Sequence, residues 1–235
     1  MRIGILPSGL AAALIAAAVW TTASGASFPD PPKSPAASTE HSATAVFAGG
    51  CFWGLQGIFE HVKGVTKTDV GYAGGTVKNP TYEMVETRKT GHAESIKVVY
   101  DPTQVSYGTL LKVFFQVAHD PTTLNRQHYD EGPQYRSAIF YMNDEQKQLA
   151  EDYIKQLNAA KVFKNPIVTQ VAPLQNSFYR AEEYHQHYLD QVVACGENPK
   201  PQCAEMNVGY IRGIDIPLQN DFKKTFPELV MKESK

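Results

Sequence analysis

This 235-residue chain has no excess of charge of either sign: 22 Lys and Arg stand against 24 Asp and Glu, a formal net charge of -2. Without a basic field to gather phosphates, nucleic acid is not an expected partner. The chain contains no Cys-x-x-Cys pair, which removes the motif a general disulfide oxidoreductase normally carries. It also lacks a spaced set of Cys and His ligands, so no metal site is expected. His185 and His187, read as two positions apart on one helix, would point in different directions. There is no internal repeat, and the one long apolar run, residues 10–20, is short for a membrane span. Cysteine is scarce, and its odd count of three leaves two readings open: a reactive thiol, or one structural disulfide beside an inert buried thiol.

What is present fits one globular domain behind a leader, with 43% hydrophobic and 20% charged residues. Arg2, the apolar run and Ser24-Gly25-Ala26 form the pattern of a signal peptide over residues 1–26, with an uncleaved anchor as the alternative. Export, with the periplasm as destination and no stable membrane insertion after cleavage, is the expectation. Pro29, Pro31, Pro32 and Pro35 among small polar residues predict a disordered linker over 27–42, since such a stretch buries too little apolar surface to offset chain entropy. The domain then spans 43–235, about 190 residues, enough for a sizeable core.

Hydrophobic periodicity predicts strands over 43–48, 66–72, 95–100, 137–142 and 167–172. Helices are predicted from Cys51, from a Ser106 cap, from Asn143 through Asn158, and over 179–193. The order strand, helix, strand, strand, helix, strand favours an α+β two-layer sandwich with a βαββαβ, ferredoxin-like core over a doubly wound parallel sheet. Beyond Cys195 the chain reads as a long irregular tail, with a helical turn hinted only at 221–226.

The most informative stretch is Gly49-Gly50-Cys51-Phe52-Trp53-Gly54. It sets a thiol at a helix start, where unpaired N–H groups and the dipole favour an anion and are expected to lower the cysteine pKa. A buried cysteine among core aromatics is the bland alternative at this point.

Gly50-Cys51-Phe52-Trp53-Gly54 resembles the signature of the methionine sulfoxide reductase A family, which reduces the S epimer of methionine sulfoxide. Asn79-Pro80-Thr81-Tyr82, Gly91-His92-Ala93-Glu94, Asp130-Glu131-Gly132-Pro133-Gln134-Tyr135-Arg136-Ser137 and Ala181-Glu182-Glu183-Tyr184-His185-Gln186 resemble further family motifs, in the family's order, over most of residues 45–188. The resemblance implies that Cys51 attacks the sulfoxide sulfur while Phe52 and Trp53 hold the substrate's methyl group. It assigns Glu94 as the acid, Tyr82 and Tyr135 as hydrogen-bond donors to the oxygen, and Asp130 to the polar wall. The chemistry is consistent with that assignment, because a sulfoxide becomes electrophilic only as its oxygen is protonated or hydrogen-bonded.

The Cys51 sulfenic acid would then condense with a thiol, for which Cys195 and Cys203 are the candidates. Family tails are usually glycine-rich around their recycling cysteines, whereas Glu197-Asn198-Pro199-Lys200-Pro201-Gln202 is stiffer. A thioredoxin-like reductant would close the cycle, with oxidised methionine in proteins or free methionine sulfoxide as substrate and no bound cofactor. From the residues alone, a cysteine peptidase and a non-enzymatic module binding methionine-rich partners stay open.

Overall fold

The computed structural model describes residues 28–33, 39–175, 177–195 and 206–231. The expected signal peptide and Cys203 lie outside the described residues.

The chain builds a mixed α/β fold. Its six-stranded sheet comprises β1 (Ala43–Ala48), β2 (Val65–Ala73), β3 (Ala93–Tyr100), β6 (Ala138–Tyr141), β7 (Gln170–Pro173) and β8 (Tyr179–Arg180) in the order β7-β6-β1-β3-β2-β8. Only β6 and β7 pair in parallel, joined through the long helix α4 (Asp144–Ala159); the other neighbours are antiparallel. A separate two-stranded ribbon joins β4 (Arg126–Gln127) to β5 (Asp130–Glu131). The remaining helices are α1 (Phe52–Phe59), α2 (Tyr82–Glu86), α3 (Tyr107–Val113), α5 (Tyr188–Cys195), α6 (Val208–Tyr210) and α7 (Ile216–Thr225).

Alternation along β1 explains why its last four residues are all buried. Ala45 and Phe47 face a large cluster with Leu55 and Phe59 of α1, Leu110 of α3, Tyr153 of α4 and Phe222 of α7. Val46 and Ala48 face the opposite side, where Phe140, Leu174 and Phe178 cover the sheet. Helix starts carry the expected caps. Ser106 Oγ accepts from Thr109 N at 3.0 Å, and Asn143 Oδ1 accepts from Gln146 N at 2.9 Å, with Asp144 and Glu145 adding favourable charge at the α4 dipole.

The structure corrects three expectations. Residues 28–33, assigned to a disordered linker, lie on the helices: Tyr153 donates to Pro29 O at 2.8 Å, and Lys112 pairs with Asp30 at 2.7 Å. The helix expected over 179–193 is broken into β8, a 3-10 turn at Glu183–His185 and α5. Gln186 causes the break, because its side chain pairs with both the N–H and the carbonyl of Val70 at 3.0 Å, extending the sheet-edge hydrogen bonding where a helix would turn. Finally, the tail beyond Cys195 is not wholly irregular: residues 206–231 hold α6, a π-helical turn at Ile211–Asp215, and α7, with Ile211 and Phe222 buried.

Candidate active site

Cys51 stands between β1 and α1. Gly50 has φ +92°, open to glycine, and a Cβ there would lie 2.5 Å from Gln127 Cγ. The turn delivers the Cys51 sulfur to the first turn of α1, as the sequence implied. Its titration does not follow the expectation. The thiol is pushed well above its ordinary range, first by burial and then by the neighbouring carboxyls of Glu94 and Asp215; the Trp53 backbone N–H works the other way without offsetting them. A helix start is too weak a field to ionise a sulfur this deeply buried. The resting nucleophile is therefore a thiol.

Glu94 sits near the start of β3, opposite Tyr72 of β2. Its side chain is buried, which removes the alternative of an exposed strand charge, and Oε2 accepts the Phe52 N–H at 3.1 Å. That bond satisfies one of the orphan donors of α1. Burial, and then Glu86 and Asp130, hold the carboxyl well above the usual range, which favours its protonated form.

Tyr82 opens α2 behind a Thr81 cap, and its backbone N–H is held by Glu182 Oε1 at 2.9 Å. Tyr135 ends the 3-10 turn Pro133–Tyr135, and its hydroxyl donates to Glu86 Oε1 at 3.3 Å. Both phenols are pushed up by burial and by the nearby Glu94 and Glu86, so both remain O–H donors. Asp130, on β5, accepts a 2.5 Å hydrogen bond from Tyr210 and is itself raised by burial. Cys51, Glu94, Tyr82, Tyr135 and Asp130 thus share one electrostatic neighbourhood.

The apolar wall is built from Phe52 and Trp53. Phe52 is buried with Val70, Tyr72, Val85 and Ala181, against which Cys51, Trp53 and Tyr82 pack. Trp53 stacks on Tyr188 of α5 at 3.9 Å between ring centroids, and its indole N–H donates to His185 Nδ1 at 3.3 Å. Burial lowers His185 to about 4, which keeps the ring neutral and able to accept that bond.

Cys195 ends α5 and is disulfide-bonded, whereas Cys51 is free. His185 and His187 do not share a helix, so the geometry assumed in setting them aside does not hold. His187 has φ +52° and bonds Glu60 Oε2 through Nδ1 at 2.8 Å. Among the described residues Glu60, His187 and Asp190 bring ligand atoms within 4.8 Å of one another, with His187 and Asp190 exposed.

Sequence reasoning missed Glu86, Glu182, Tyr210 and Asp215. Glu182 and His185 lie inside the stretch Ala181-Glu182-Glu183-Tyr184-His185-Gln186, and that membership was the available signal. Tyr210 and Asp215 come from a segment with no such pattern.

A family model described as "Peptide methionine sulfoxide reductase" matches residues 43–208. A curated protein of Mesorhizobium japonicum, peptide methionine sulfoxide reductase MsrA 2, is 50% identical over 188 residues, covering 80% of this chain and 89% of the relative. The solved structure of methionine sulfoxide reductase A of Corynebacterium diphtheriae is similar at 40% identity and a TM-score of 0.57, covering 64% of this chain and 75% of that one. The reduced form of Mxr1 from Saccharomyces cerevisiae is similar at 33% identity and a TM-score of 0.60, covering 64% and 86% respectively.

Proposed function

The chain belongs to the peptide methionine sulfoxide reductase family and reduces methionine sulfoxide, and we propose that it does so by transferring the sulfoxide oxygen to Cys51 with Glu94 as the acid. The observation that carries this reading is the buried Glu94 carboxyl on the first turn of the helix that Cys51 opens. Glu94 gives its proton to the sulfoxide oxygen, and Tyr82 and Tyr135 donate to the charge that develops there. Cys51 sulfur bonds to the activated centre, the thiol proton returns to Glu94, and the oxygen leaves with Cys51 as sulfenic acid while the thioether is released.

Selection of the S epimer follows from two fixed walls. Burying one methyl against Phe52 and Trp53 is worth only about 0.8 kcal/mol, so the wall alone discriminates weakly. Combined with oxygen contacts on the opposite side, it leaves one configuration able to present its sulfur to Cys51. The Trp53 bond to His185 and its stack on Tyr188 hold that wall in place.

For resolution, Cys195 captures the sulfenic acid, passes the disulfide to Cys203, and a thioredoxin-like dithiol protein resets the pair. A free Cys51 beside an oxidised Cys195 is the state such a relay leaves. A permanent structural disulfide at Cys195, with Cys51 reduced directly, is the second reading that the same observation favours. Substrates are oxidised methionine in proteins or free methionine sulfoxide. Export to the periplasm rests on the leader pattern of residues 1–26, and an oxidised Cys195 suits that compartment. The ferredoxin-like reading of the core rests on the order β6-β1-β3-β2 with all neighbours antiparallel.

The test is turnover of each epimer of methionine sulfoxide with a dithiol reductant. Consumption of the S epimer alone is expected, and equal use of both would overturn the site assignment.

A further inference from the structure

Asp215 is a buried carboxyl for which the chemistry above has no task. It ends the π-helical turn before α7, is 1% exposed, and its Oδ2 is buried with no hydrogen-bond partner. It does not serve as a helix cap, since its side chain makes no capping bond to α7. Its carboxyl lies instead over the first turn of α1: a Cβ built on Gly54 would come within 2.6 Å of Asp215 Oδ1. Glycine three residues after the nucleophile is what leaves room for this acid. The same segment is docked on the site by Tyr210, which donates to Asp130 and sets its ring edge-on to Trp53 at 6.4 Å.

A buried carboxyl oxygen with no hydrogen-bond partner in the protein is open to a polar group that the reaction brings there. A sulfenic acid on Cys51 introduces a new group there, its hydroxyl. Asp130 is already engaged by Tyr210, and one oxygen of Glu94 by the Phe52 N–H. Burial, followed by the charge of Asp130, holds the Asp215 carboxyl well above its usual range and so favours its protonated form.

We propose that Asp215 carries the proton for resolution of the Cys51 sulfenic acid, a role that rests on the sulfenic acid cycle proposed above. As a second thiol attacks the Cys51 sulfur, the S–O bond breaks and a disulfide forms. Asp215 gives its proton to the departing hydroxyl, which leaves as water, and takes the proton of the attacking thiol. Sulfur supplies both electrons, and the carboxyl ends the step as it began.

The test starts from fully reduced protein and one equivalent of S-methionine sulfoxide, following methionine release and, by a sulfenic-acid trap with mass mapping, the lifetime of the Cys51 intermediate. Asp215→Asn keeps shape and neutrality but has no transferable proton. It is expected to lengthen the sulfenic acid lifetime by roughly 10²–10⁴-fold, well beyond any slowing of methionine release. Decay at the parent rate, or equal slowing of both steps, overturns the proposal. Should Asp215→Asn fail to fold, Asp215→Ala with added formate serves, where faster decay on adding formate is expected and no effect overturns it. Absence of methionine from the parent would instead overturn the underlying cycle, and this proposal with it.

Discussion

Replacing Glu94 with Gln removes a proton and little else. The amide oxygen in Glu94→Gln can still accept the Phe52 N–H, which meets Glu94 Oε2 at 3.1 Å, so the start of α1 keeps its partner. What is lost is general acid catalysis, worth roughly 10²–10⁴-fold, or about 3–5 kcal/mol at 1.36 kcal/mol per tenfold. Single-turnover methionine formation, measured by rapid quench, should slow by that factor while substrate binding changes much less. The pH dependence provides an independent check. Burial first, then Glu86 and Asp130, raises the folded-state pKa of Glu94, so the stability it contributes is complete below the ordinary carboxylate range and is lost as pH rises through the folded value. Glu94→Gln has no such loss, so its stability relative to the parent should improve with rising pH. The parent's methionine-forming rate should fall over that same rise, and the variant should lack this limb. An unaltered single-turnover rate, or the same alkaline limb in both proteins, would refute Glu94 as the donor.

Two further outcomes are expected. Phe47→Ala empties the centre of the large cluster, where the ring lies 5.4 Å from Phe59 and 5.0 Å from Phe114, and should cost about 3–5 kcal/mol; a loss of unfolding free energy below about 1 kcal/mol by urea titration would contradict that packing. In fully reduced protein given one equivalent of sulfoxide, Cys195→Ser should hold Cys51 as sulfenic acid or divert it to Cys203, and Cys203→Ser should accumulate a Cys51–Cys195 bond. If both variants turn over with a dithiol protein as fast as the parent, the relay is wrong.

Much of the fold was legible because periodicity and caps agreed. Strand 43–48, the Ser106 and Asn143 caps and the strands at 93–100 and 138–141 follow from local pattern, and the structure places them there within a few residues. Where the reading failed, a tertiary contact overrode local preference. Gln186 ties itself to Val70 across the sheet edge and breaks an apparently helical stretch, and Phe28 edges against Phe163 at 6.1 Å, bringing part of a proline-rich segment onto the core. The site shows the same division. Cys51, Glu94, Tyr82, Tyr135 and Asp130 were named through their motifs, and the structure brings them together. The direction of the Cys51 shift was misread because the sulfur is buried and, after that, because Glu94, Asp215 and Asp130 from distant parts of the chain converge on it, and no local spacing encodes either. Tyr210 and Asp215 were invisible for the same reason, being placed by a helix whose anchor, Phe222, is defined only by the cluster it enters.

The most direct test of the account is a stoichiometric reaction of the reduced Cys195→Ser, Cys203→Ser double variant with S-methionine sulfoxide in the absence of any other thiol. Cys51 should release one methionine per chain and then carry a single trappable sulfenic acid, while the same protein with Cys51→Ser added should release none. Methionine formed without the Cys51 thiol would contradict the account.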